Sequence, residues 1–109
     1  MAQSSEESES YSVDRLAEVS EFIIQLGARA KKLGMARGAR DALAEIVAKL
    51  EATPLQWGDP LYATKHAGGM VLQGLWSPFI VRYVAFEAER IVCILKIRVF
   101  PGHPLAGED

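Results

Sequence analysis

Cysteine is nearly absent from this chain, and Cys93, the only one among 109 residues, excludes an internal disulfide. Long apolar runs are also missing. No segment approaches the ~18 residues a membrane-spanning helix needs. The N-terminus, Met1-Ala2-Gln3-Ser4-Ser5-Glu6, has neither the basic start nor the apolar stretch of a secretory leader. A soluble protein of the reducing cytoplasm is the expectation. Histidine is scarce: His66 and His103 stand far apart, and no Cys or carboxylate completes a metal-ligand spacing around them. No metal or other cofactor is expected. Gly68-Gly69 lacks the context of a phosphate loop and reads as a turn before a strand. No repeat is visible.

Charge is balanced overall, at −2, but unevenly placed. Residues 1–10 carry Glu6, Glu7 and Glu9 without a base, and the chain ends on Glu108-Asp109. Residues 11–107 are left with 12 bases against 9 acids. The folded part is therefore mildly basic between acidic ends. Half the residues are hydrophobic, enough for one packed domain of ordinary size. The expected organisation is a disordered acidic, Ser-rich tail at 1–10, one domain over 11–105, and a flexible end at 106–109.

Tyr11–Arg15 alternates weakly, as an edge strand or as the approach to a helix. From Ala17 the period changes. Leu16, Val19, Ile23, Leu26, Ala30 and Leu33 recur at steps of three and four, which predicts a helix that Gly34 stops. A second helix is predicted over Ala36–Ala52, with Ala39, Leu43, Ile46, Val47 and Leu50 on one stripe and Thr53-Pro54 ending it. Pro54–Gly69 reads as a loop, with Trp57 as its anchor and an Asp59-Pro60 turn. Three strands then follow: Met70–Leu75, Phe79–Phe86 and Ile91–Phe100, joined by links short enough for an antiparallel meander. The order predicts an α+β domain, two helices covering one face of the sheet. A DNA-binding helix-turn-helix around Gly34 is the alternative for the helical half, since six bases against two acids lie between residues 26 and 50.

Strand parity carries the functional argument. In the last strand the odd residues Ile91, Cys93, Leu95, Ile97 and Val99 are apolar, and the even set ends in Lys96 and Arg98. The odd set is expected to face the helices, with Cys93 as an inert core thiol. In the preceding strand Phe79, Val81, Tyr83 and Ala85 form the apolar face, and Arg82 lies opposite with Ile80 and Val84. Pairing these strands brings Arg82, Lys96 and Arg98 together on the open sheet face. Gln73 joins from the first meander strand, with Ile80, Phe100 and Trp76 as flanks. Such a face suits an anionic ligand; a merely solvated face is the alternative.

Tyr11-Ser12-Val13-Asp14, Leu16-Ala17-Glu18, the Pro54…Gly58-Asp59-Pro60 segment, Val81-Arg82-Tyr83 and Ile91-Val92…Arg98-Val99 together resemble the RelE/ParE superfamily of type II toxin–antitoxin toxins, the plasmid stabilisation family. The resemblance spans residues 11–105. It implies a β-α-α-β-β-β fold with the first strand joined to an antiparallel sheet, and a cognate antitoxin that wraps the toxin. RelE-like members are ribosome-dependent mRNA endoribonucleases, and ParE-like members act on DNA gyrase. For a ribonuclease the resemblance would assign Arg82, Arg98 and His103 to catalysis. The RelE lysines are missing, however, from Met70-Val71-Leu72-Gln73-Gly74-Leu75, and no tyrosine follows Pro101. The expectation is a growth-inhibiting, ParE-like toxin that binds its target, without enzymatic activity, through Gln73, Arg82, Lys96 and Arg98. A stand-alone, non-toxic domain on the same scaffold is the remaining alternative.

Overall fold

A computed structural model describes residues 10–65 and 68–106. Residues 1–9 of the proposed 1–10 tail, residues 107–109 of the proposed 106–109 end, and His66 lie outside them. The elements are β1 (Ser12–Arg15), α1 (Ala17–Lys32), α2 (Ala36–Ala52), the one-turn α3 (Pro54–Trp57), β2 (Asp59–Ala63), β3 (Gly69–Trp76), β4 (Phe79–Phe86) and β5 (Ile91–Val99), then a 3₁₀ turn at Pro104–Ala106. The fold is α+β, with the strands in the order β1-β5-β4-β3-β2.

Both long helices stop where the breakers stand. Gly34 takes φ +73° after α1, a conformation open to a residue without Cβ. Glu18 opens α1 and Arg29, Lys31 and Lys32 close it, the arrangement that complements the helix dipole. Val19, Leu26 and Ala30 of α1 and Ala39, Ala42, Ile46 and Leu50 of α2 are buried together with Leu72, Phe79, Val81, Tyr83, Val92 and Ile97 of the sheet. The apolar stripes of the helices thus meet one sheet face, and a helix-turn-helix presented to DNA is not the architecture.

The segment predicted as a loop contains two elements. Pro54 begins α3, where its missing N–H has no intrahelical partner to lose. Pro60 then lies in β2, an outer strand that pairs antiparallel with β3. The β2–β5 part of the sheet is antiparallel, and β1 is added in parallel to β5, Ser12 opposite Ile91 through Arg15 opposite Ile94.

Trp57 explains why the α3–β2 segment is ordered. Its ring stacks on Tyr83, with centroids 5.7 Å apart. A Cβ at Gly74 would lie 2.7 Å from the same ring, so only glycine lets the indole reach the sheet there. The Tyr83 hydroxyl accepts a hydrogen bond from the Gly58 N–H at 3.0 Å and donates to the Pro54 carbonyl. Tyr83 is fully buried, and burial, with a smaller contribution from nearby Asp59, pushes its hydroxyl up to about 12 against the lowering effect of the Gly58 bond.

A β-bulge corrects the parity predicted for β5. Arg82 pairs with Lys96, but Tyr83 pairs with Ile94, which leaves Leu95 unmatched. The side-chain phase therefore reverses at Leu95. Val92 and Ile94 are buried among the helices before it, and Ile97 after it. Cys93 consequently lies on the open face, in register with Val84 and Asp14, and is half-buried there rather than packed in the core. Burial, and secondarily the Asp14 carboxylate, push its thiol pKa upward. Trp76 is also not where parity was expected to use it. It sits with Phe79 on the helix side, where the Lys49 Nζ approaches its ring centroid to 4.4 Å.

Candidate functional site

The phase reversal leaves Lys96 and Arg98 on the open face and brings them to Arg82. One row across the sheet reads Gln73, Arg82, Lys96, and the next Leu75, Ile80, Arg98. Side chains opposite one another in paired strands share a face, with neighbouring strands ~5 Å apart. Gln73, Ile80, Arg82, Lys96 and Arg98 accordingly line one depression of about 270 Å³. The Arg82 Nη2 donates to Gln73 Oε1 at 3.2 Å, so Gln73 steadies a guanidinium that has neighbouring cations rather than a carboxylate in the lining.

Three like charges in one depression repel one another. An anion bound among them relieves that repulsion, and two planar guanidinium forks suit a carboxylate or phosphate. Among the described residues the lining holds no carboxylate, imidazole, thiol or phenol. Its cations suit the attraction and orientation of negative charge.

His103 stands elsewhere. Its N–H donates to the Phe100 carbonyl at 3.1 Å, and its Nδ1 accepts the Leu105 N–H at 3.1 Å. Leu105 is buried on the helix side, and its carbonyl accepts Arg29 Nη1 of α1 at 3.0 Å. The turn that carries His103 is thereby fastened to α1, and His103 is not part of the lining. Asp59 is in register with Gln73 at the far end of the same row and is likewise outside it. Among the described residues no group of His, Cys, Asp and Glu is arranged to hold a metal, and no helix is long and apolar enough to cross a membrane.

Sequence reasoning named all four polar lining residues and Ile80. It missed the bulge, because Ile91-Val92-Cys93-Ile94-Leu95 is apolar at both parities and gives no sign of its phase. The alternation Lys96-Ile97-Arg98 fixes the phase only beyond that run.

No protein-family model matches the chain, and no curated protein does. Among solved structures, the chain is similar to a chain of the archaeal RelE–RelB complex from Pyrococcus horikoshii OT3, with a TM-score of 0.61 and 17% identity over 86% of this chain and 99% of that one. The two share a fold.

Proposed function

We propose that this chain is the toxin of a type II toxin–antitoxin pair and that it acts by binding its target, without catalysis, through the cationic depression. The observation that carries the reading is the lining itself: Arg82 held by Gln73, with Lys96 and Arg98 next to it and, among the described residues, no carboxylate, imidazole, thiol or phenol. Its fold likeness to a protein solved as a RelE–RelB complex supports the toxin part and a cognate antitoxin as partner. DNA gyrase is the target class that the ParE resemblance offers. Such a target would meet the depression with carboxylates or with phosphates of bound DNA.

The second reading is a ribosome-dependent mRNA endoribonuclease. The same three cations favour it, since they could stabilise a phosphodiester in its transition state. Cleavage also requires proton transfer, and His103 is the residue to which the RelE resemblance would assign it. Its ring is engaged by the Leu105 N–H in a turn fastened to α1.

Induced expression in a bacterial host separates the readings when growth, plasmid supercoiling and mRNA 5′ ends are followed together. The binding mode predicts arrest with altered supercoiling and unchanged mRNA ends, and arrest retained in His103→Ala. New mRNA ends that disappear in His103→Ala would transfer the assignment to the ribonuclease. Normal growth at a confirmed protein level would favour the non-toxic scaffold.

A further inference from the structure

The two long helices leave a trough of about 420 Å³ between them, with Ile23 and Leu26 of α1 on one side and Ala39 and Leu43 of α2 on the other. Leu26 and Ala39 are buried, and Ile23 and Leu43 are half-buried. No residue of the sheet lines it, so it is separate from the cationic depression. An apolar concavity of this size with a few polar groups suits a small molecule.

Gly27 stands in the middle of the α1 wall. Glycine in a helix interior lowers stability relative to alanine. No neighbour requires it here, since a Cβ at Gly27 would meet nothing within 4 Å. The absent side chain keeps the trough open at its centre.

The charge in the trough has one sign. Lys31 and Arg40 also line it, and among the described residues no carboxylate does. Lys31 lies towards the hairpin turn at Gly34, the end at which α2 begins. The first turn of α2 contains no acid and Met35 supplies no side-chain cap, so the chain leaves the positive end of that helix dipole unanswered. From Ile23 to Lys31 the trough runs about 12 Å along α1, at 1.5 Å per residue. It is apolar at the Ile23–Leu43 end and cationic towards the turn.

We propose that the α1–α2 trough binds a straight-chain aliphatic carboxylate of roughly eight to ten carbons, a length that matches the trough when ~1.5 Å bonds are laid out as an extended zigzag. The chain lies over Ile23, Gly27 and Leu43, and the carboxylate meets Lys31 and Arg40. Neither the cationic depression nor the toxin reading enters this assignment.

The test uses the full chain and octanoate well below its micelle-forming concentration, followed by NMR of the backbone amides. The amides of Gly27, Lys31, Ala39 and Arg40 are expected to shift and to saturate. From hexanoate to decanoate, affinity should rise about two- to fourfold per added methylene. Gly27→Leu should fold with an unchanged or higher Tm and bind octanoate about tenfold more weakly or worse, because its side chain fills the trough. Lys31→Met with Arg40→Met should weaken octanoate about tenfold and leave octan-1-ol unaffected. Undiminished binding by folded Gly27→Leu would overturn the site, as would shifts confined to Arg82, Lys96 and Arg98. Equal affinities for hexanoate and decanoate would overturn recognition of the chain. Trough amides that move with protein concentration alone would place a second copy there and overturn the proposal. So would an acidic amphipathic helical peptide that shifts these amides when octanoate does not.

Discussion

Tyr83→Phe isolates the contact that holds the α3–β2 segment to the sheet. The ring, its burial and its stacking on Trp57 are kept, and only the hydroxyl is lost. That hydroxyl accepts from Gly58 and donates to Pro54 in the interior. Two such bonds contribute about 0.5–1.5 kcal/mol each, so a loss of about 2 kcal/mol is expected at pH 7. For a domain of this size that corresponds to a fall in Tm of roughly 10 °C. The effect has a pH signature. Because the hydroxyl is raised to about 12 in the fold, from an ordinary value of 10.0, the unfolded chain releases its proton first as pH rises. The native protein is unaffected below pH 10 and loses stability between pH 10 and 12, by about 2–3 kcal/mol in full. Phenylalanine has no proton to lose, so the gap between the two proteins should shrink towards zero across that window. Urea unfolding of both proteins from pH 7 to 11.5, monitored by far-ultraviolet circular dichroism, measures this directly. A difference under about 0.5 kcal/mol at pH 7, or one that stays constant through pH 11.5, would mean that the Tyr83 hydroxyl does not hold the segment in this way.

Two other predictions concern the same sheet. Gly74→Ala puts a methyl group against the Trp57 ring, and overpacking of this kind should cost about 1–3 kcal/mol in urea melts and alter Trp57 fluorescence. Native Cys93 should be alkylated more slowly than the unfolded chain at pH 8, because burial and Asp14 both disfavour the thiolate. Asp14→Asn should shift its rate–pH profile towards lower pH, which stopped-time iodoacetamide labelling would detect.

The helices were legible because their apolar residues repeat at helical spacing and a glycine and a proline end them. The open-face cluster was legible because Arg82, Lys96 and Arg98 each sit beside an apolar residue of the opposite parity. What stayed hidden depended on long-range structure. Pro54, Gly58 and Pro60 are loop residues in isolation, and only the sheet edge and the Trp57–Tyr83 stack make α3 and β2 of them. Cys93 was misplaced because a bulge reverses the phase of an unbroken apolar run. His103 could not be located from spacing, since its position follows from the docking of Leu105 on α1 after the chain reverses at Gly102.

The cationic depression is the proposed working surface of this chain. It is tested most directly by inducing the wild type and an Arg82→Ala, Lys96→Ala, Arg98→Ala triple variant side by side, each matched for protein level and checked for folding by thermal melting. These exposed side chains lie outside the core, so the variant should melt within a few degrees of the wild type. Growth arrest by the wild type and normal growth with the folded variant are expected. Arrest by both proteins alike would contradict this assignment.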